Sequence, residues 1–306
     1  MNNTHQHILV AGGSGLIGKH LIQLLLQNQF RVSVLSRTKK SIRNVNVFTW
    51  DVEKEFIEPG AFQNVDAIIN LAGQGIADKP WTSKRKTEVL ESRTKSTHFL
   101  FKMLSTSPHQ VKTFINASAI GIYKSGNEIQ NESGNTGDDF LAQICTAWEK
   151  EAFQMQSINI RTVILRIGLV LSARGGMLKE ILLPMKFFIA PVFGNGKQWQ
   201  SWIHINDLCS MIMFAIENNS VKGVYNAVAS QPLQQVNLTT AMQKAIKKPT
   251  LKIYVPVFFL KIFLGERANM LISSQRISNT KIKGMGFSFL FSNSINAIKN
   301  CIGKNI

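Results

Sequence analysis

The stretch Ile8-Leu9-Val10-Ala11-Gly12-Gly13-Ser14-Gly15-Leu16-Ile17-Gly18 decides the fold of this 306-residue chain. Apolar residues run as a strand into a glycine cluster, and the cluster leads directly into an amphipathic helical pattern, Leu16–Gln27. Gly12, Gly15 and Gly18 stand at the spacing G-x-x-G-x-x-G. The first glycine permits a tight strand-to-helix turn, the second lets a diphosphate approach the backbone, and the third lets the helix lie close to the sheet. Free amides at the helix N-terminus, with its partial positive charge, suit a phosphate there, and Ser14, Leu16 and Ile17 complete the loop. A purely structural glycine turn is the competing reading. The order of strand, glycines and helix argues against it.

Working outward, apolar strands alternate with helical patterns. Strands are expected at 7–11, 31–35, 45–50, 67–71, 113–117 and 162–167, with helices over 83–104 and 140–155 besides the first. The alternation predicts an α/β fold, a doubly wound parallel sheet of Rossmann type with at least six strands, and a ligand crevice at their carboxyl ends. After about residue 170 the pattern becomes irregular, with breaks at Arg174-Gly175-Gly176, Pro184 and Gly194-Asn195-Gly196. Residues 1–170 are therefore expected to form the dinucleotide-binding domain. Residues 171–306 are expected to form a smaller, contiguous substrate lobe, in which Phe258, Phe259, Ile262 and Phe263 pack as a helical lid over the cleft.

A hydrophobic content of 44% and 306 residues fit a globular protein with a full core. Met1 to His7 is polar and gives no leader, and Tyr254–Leu264 is too short to span a bilayer. Cys145, Cys209 and Cys301 are far apart, which points to reduced cytoplasmic thiols, and no metal-ligand spacing occurs. The net charge of +17 is uneven: from Ala241 onward eleven Lys and Arg face one acid, Glu266, a balance of +10. Such a lobe could meet an anionic surface. Without interleaved aromatics of a nucleic-acid module it reads better as a solvated face, so no specific nucleic acid is expected.

Cofactor choice is read at the end of the second strand. An NAD-selective site places an acid there for the ribose hydroxyls, but this chain has Ser36 and Arg37, then Lys39 and Lys40. A guanidinium pairs with a 2′-phosphate that a carboxylate would repel, so the expected cofactor is NADP(H). An ordinary surface arginine is the alternative. Asp51 closes the third strand where an acid meets the adenine amine, and Leu71 and Ala72 in Asn70-Leu71-Ala72-Gly73 let the backbone pass close to the ribose.

These motifs, with Trp202-Ile203-His204-Ile205-Asn206-Asp207 and Gly223-Val224-Tyr225-Asn226, resemble the extended short-chain dehydrogenase/reductases. More narrowly, Ile76-Ala77-Asp78-Lys79-Pro80-Trp81, Glu91-Ser92-Arg93 and Gly194-Asn195-Gly196-Lys197-Gln198-Trp199 resemble the epimerase-like family within them. The resemblance covers essentially the whole chain. It implies NADP contacts at Ser36, Arg37, Leu71 and Ala72, from Glu88 and Arg93 on the helix after the fourth main strand, and from backbone near Val170.

The reaction is less legible. Short-chain dehydrogenases carry a Tyr-x-x-x-Lys pair in which the lysine lowers the phenol pKa. Four residues after Tyr123, Tyr225 and Tyr254 come Asn127, Ala229 and Phe258, so no such pair exists, and Cys145 and Glu149 stand on the helix that should carry it. Ser118 and Tyr123 are the catalytic candidates, with a polar strand end and a turn tyrosine as the structural alternatives; in the neighbouring register Ala119 takes the place of Ser118. Two function classes follow: an NADP-dependent oxidoreductase or epimerase with an unknown small-molecule or nucleotide-linked substrate, and a non-catalytic NADP(H) sensor that engages a protein partner. The missing pair favours the second, and the tryptophans Trp81, Trp199 and Trp202 beside glycine loops, for which core packing is an equal explanation, favour the first. A homodimer is compatible with either.

Overall fold

The computed structural model describes residues 6–303; Met1–His5 of the polar N-terminal stretch lies outside the described residues. Its centre is an eight-stranded sheet. In chain order the strands are β1 (His7–Ala11), β2 (Arg31–Ser36), β3 (Asn46–Asp51), β4 (Phe56–Ile57), β5 (Ala67–Asn70) and β6 (Thr113–Ala119), followed by Arg161–Ile167 and Gly223–Ala227. Across the sheet they lie in the order Gly223–Ala227, Arg161–Ile167, β6, β5, β1, β2, β3, β4. All neighbours are parallel except β4, which returns antiparallel on β3. This is the doubly wound sheet the alternation predicts, with β1 in its interior. The last strand comes from well beyond residue 170.

Successive residues of β1 face opposite sides of the sheet, and helices cover both. Ile8 and Val10 pack with Leu21 and Leu25 of α1 (Leu16–Gln27) and with Leu208 and Met211 of the helix Ile205–Glu217. Leu9 and Ala11 pack with Phe99 and Leu100 of α2 (Ser83–Thr106) and Ala152 of α3 (Phe140–Phe153). The chain lays β2 and β3 on one side of β1, then crosses to β5 and β6 on the other. A crevice therefore opens at the carboxyl end of β1. A separate core built on Leu178, Ile181, Trp202, Leu238, Met242 and Ile298 fills the later part of the chain.

One expectation fails. Phe258, Phe259, Ile262 and Phe263 do not pack as a lid: on the helix Val257–Leu264 they are 68%, 50%, 58% and 77% exposed, and only Leu260 is buried. The strand before this helix, Leu251–Val255, pairs with Ile189–Phe193 in a two-stranded sheet apart from the central one. The helix is thereby held at the margin, with its broad apolar face turned outward.

At the other end of the fold, His7 Nε2 lies 2.6 Å from Ser33 Oγ, and burial holds the imidazole pKa below its usual value of 6.5. The native state thus binds fewer protons than the unfolded chain just below pH 6.5, and the stability from neutral His7 is lost as pH falls through its folded pKa. Thermal melting between pH 7.5 and 5 should show a fall in wild type that is shallower in His7→Gln. Parallel profiles would remove His7 from the acid response.

Candidate functional site

Gly12 lies at φ +83°, and a Cβ there would stand 2.5 Å from the Leu71 carbonyl oxygen, so the β1 turn and the end of β5 touch backbone to backbone. A Cβ at Gly18 would run into the backbone of Gly12 and Gly13, so α1 lies directly against the glycine loop at this position. Gly15 caps α1 without a side-chain hydrogen bond, at φ −71° and ψ 173°, with its own amide on Gly12 O at 3.1 Å. Among the described residues no side chain caps the first amides of α1, and Ser14 beside them is exposed. This cradle fits a diphosphate. Leu16 and Ile17 are half-buried below it.

The parallel registers Ala11↔Leu35 and Ala11↔Asn70 set Gly12, Ser36 and Leu71 side by side along one edge of the sheet. Arg37 is exposed and makes no ion pair among the described residues, whereas Lys39 is engaged by Glu58 at 3.2 Å. Asp51 accepts the amides of Glu53 and Lys54 at 3.0 and 3.2 Å and keeps its place at the end of β3. Asn70 ties the strand ends together: its amide donates to Thr97 Oγ1 and Asn116 Oδ1, and its oxygen accepts the Ala72 amide at 3.2 Å. Arg93 packs against Gly73, with its guanidinium 5.3 Å from the Trp148 ring, and burial holds its pKa below the usual value. Glu88 is half-exposed and 3.2 Å from Arg85. Val170 lies in the strand Leu169–Leu171, paired with Ile203.

Ser118 and Tyr123 belong to one buried polar network. Ser118 Oγ donates to Glu149 Oε1 at 2.6 Å, and Arg166 grips both Glu149 oxygens, Nε to Oε1 at 2.9 Å and Nη2 to Oε2 at 2.8 Å. Arg166 Nη1 also donates to the Tyr123 hydroxyl at 2.9 Å, which donates onward to Asn226 Oδ1 at 2.6 Å. Burial raises the Tyr123 pKa against the opposing pull of Arg166. The Cys145 thiol is pushed up to about 11, chiefly by burial and then by the Glu149 charge. Strand alternation turns Ser118 and Ala119 to opposite faces, and Ser118 is the one directed at α3.

Three groups escape the sequence pattern. Arg85 is buried in α2, donates to Gly75 O at 2.7 Å and to Gln74 Oε1, and so pins the loop after β5. Arg166 carried a signal, a lone charge inside the apolar run Val163-Ile164-Leu165-Arg166-Ile167. Arg174 reaches Gln23 of α1 at 3.2 Å, where the loop through Gly175 rests on Leu16. Of the tryptophans, Trp202 is a core residue, 1% exposed. Trp199 lies 4.4 Å beneath the Arg276 guanidinium in an open cavity of about 580 Å³ that includes Gln198, Gln234 and Ser274. Trp81 shares a smaller cavity of about 300 Å³ with Lys86, Phe140 and Glu266.

The sequence profile of the NAD dependent epimerase/dehydratase family matches residues 8–227, and that of a domain of unknown function matches residues 255–301. An epimerase family protein of Staphylococcus aureus is 33% identical over 301 residues, covering 97% of this chain and 99% of that protein. The crystal structure of human epimerase family protein SDR39U1 (isoform 2) with NADPH superposes with a TM-score of 0.88 at 28% identity, covering 98% of this chain and 100% of that one. UDP-glucuronic acid 4-epimerase from Bacillus cereus, solved with UDP-glucuronic acid and NAD, shares the fold, with a TM-score of 0.78 at 16% identity over 98% of this chain and 100% of that chain.

Proposed function

The chain belongs to the NAD-dependent epimerase/dehydratase family, and from that premise we propose that it binds NADP(H) and acts as an oxidoreductase or epimerase on a small or nucleotide-linked substrate. The observation that carries the cofactor choice is Arg37, exposed and without an ion pair among the described residues, at the end of β2, where the sequence has Ser36 and Arg37 in place of a carboxylate. In this reading Gly12, Ser14, Gly15 and Gly18, with Leu16 and Ile17, hold the diphosphate on the α1 amides. Ser36 and Arg37 hold the 2′-phosphate, Asp51 the adenine, and Leu71 and Ala72 the ribose, while Glu88, Arg93 and Val170 border the nicotinamide end. The bound nicotinamide supplies or accepts a hydride. Ser118, oriented by Glu149, meets the substrate carbonyl; Tyr123, held between Arg166 and Asn226, is the neighbouring acid. An arginine over Trp199 in an open polar cavity suits an anionic, ring-bearing substrate portion.

A second reading, a non-catalytic NADP(H) sensor, is favoured by one observation. The positions that would carry tyrosine and lysine hold Cys145, a thiol pushed up to about 11, and Glu149, already paired with Arg166. The thiol is not poised for proton transfer near neutral pH and the carboxylate is engaged by a guanidinium, so turnover is expected to be slow.

Titration of wild type with both cofactors should give NADPH at least about tenfold tighter than NADH, and Arg37→Ala should bring the two to parity, a loss of about 1.5–3 kcal/mol for a charge-assisted phosphate contact. Equal affinities in the wild type would refute the NADP assignment. For the enzyme reading, Ser118→Ala and Tyr123→Phe should each lower kcat while the NADPH Kd stays nearly unchanged. Tight NADPH binding with no turnover on a panel of carbonyl substrates would leave the sensor.

A further inference from the structure

Among the described residues, large exposed apolar side chains gather outside the cores on adjoining segments of the later part of the chain. Phe187 and Phe188 are 70% and 59% exposed, Leu251 and Ile253, on one face of their strand, 71% and 40%, and the helix Val257–Leu264 adds the outward face already described. These segments are one surface. The Leu251 amide donates to Phe188 O at 2.8 Å, Ile189 pairs with Leu251, and Pro256 joins the strand Leu251–Val255 directly to the helix. The helix is also fastened to the body of the protein, since Glu266 just beyond it pairs with Lys86 and Arg267 Nη1 donates to Ala77 O at 2.9 Å. An apolar face this broad, held in place, is a docking surface.

The charges say what covers it. No Asp or Glu occurs from Ile181 to Asn206 or from Asn218 to Gly265, whereas Lys186, Lys247, Lys248, Lys252 and Lys261 lie within or beside the apolar segments. None of these five makes an ion pair among the described residues. A second copy of this chain would bring the same lysines against one another. We propose that this face docks on an anionic lipid bilayer, with Phe187, Phe258, Phe259, Ile262 and Phe263 entering the headgroup–acyl boundary and the lysines facing the acidic headgroups. Short apolar segments with lysines within or beside them in sequence suit such interfacial seating, and no helix among the described residues is long and apolar enough to cross a membrane. The basic balance of the C-terminal segment, expected from sequence to be only a solvated face, acquires a role once its aromatic residues are found outside the core.

The test is co-sedimentation of the full chain with vesicles of phosphatidylcholine alone and with about 30 mol% phosphatidylglycerol. Wild type should bind the anionic vesicles at about 50 mM salt and lose most of that binding at high salt. Lys252→Gln/Lys261→Gln should weaken binding by about fivefold or more per lysine, and Phe258→Ser/Phe263→Ser by at least about tenfold. Both variants should keep the wild-type NADPH affinity, which shows that the fold is intact. Failure to bind anionic vesicles, or equal binding to both vesicle types, would overturn the proposal. So would a dimer in light scattering that Phe258→Ser/Phe263→Ser dissociates while vesicles capture nothing.

Discussion

Arg166→Met is expected to destabilise the protein by about 3–5 kcal/mol at pH 8, the largest effect of any single side-chain replacement in the site. Glu149 and Arg166 are 5% and 9% exposed and joined by two hydrogen bonds, so removing the guanidinium strands a carboxylate whose remaining hydrogen bond among the described residues is the one from Ser118. The Tyr123 hydroxyl loses a donor in the same step. The double variant Glu149→Gln/Arg166→Met has no buried ion to strand and should recover a large part of the loss. Urea unfolding of the wild type and the two variants at pH 8 decides the matter. A cost below about 1 kcal/mol for Arg166→Met would mean the pair is solvated and Ser118 is not held in place through it.

The same network shows how far the sequence can be read. The proposed cofactor half is local: strand, glycine loop and helix are contiguous from His7 to Gln27, and Arg37 and Leu71 follow their strands directly. Periodicity and turn chemistry therefore place them without knowledge of the tertiary contacts. The proposed reaction half is assembled from Ser118, Tyr123, Glu149, Arg166 and Asn226, five residues from four stretches of chain that only the tertiary fold brings together. Glu149 passes for a solvated helix charge until Arg166 is placed opposite it. The lid expectation failed for a related reason. The pattern Phe258, Phe259, Ile262, Phe263 specifies an apolar helix face, but what that face meets depends on where Leu251–Val255 pairs, which the pattern does not encode.

Two glycine substitutions separate the cradle's binding role from its structural one. Gly15→Ala should leave the melting temperature nearly unchanged while lowering NADPH affinity by about tenfold or more. Gly15 already has the backbone of an ordinary residue, and the nearest atom to an added Cβ is Gly12 O at 3.4 Å, so the methyl group meets nothing that must move. It does, however, project at the start of α1, where a diphosphate must reach the amides, and about 1.4 kcal/mol lost there is tenfold in affinity. Gly12→Ala should lose both properties. A left-handed φ of +83° costs an L-residue roughly 1–2 kcal/mol, and the Cβ would collide with the Leu71 carbonyl, forcing apart the strand ends that form the crevice. Thermal melts and cofactor titrations of both variants give four values, and the expected pattern is one stability loss and two affinity losses. If Gly15→Ala binds NADPH as tightly as wild type, the α1 terminus does not hold the diphosphate. The glycine run would then be the structural turn that is its competing reading.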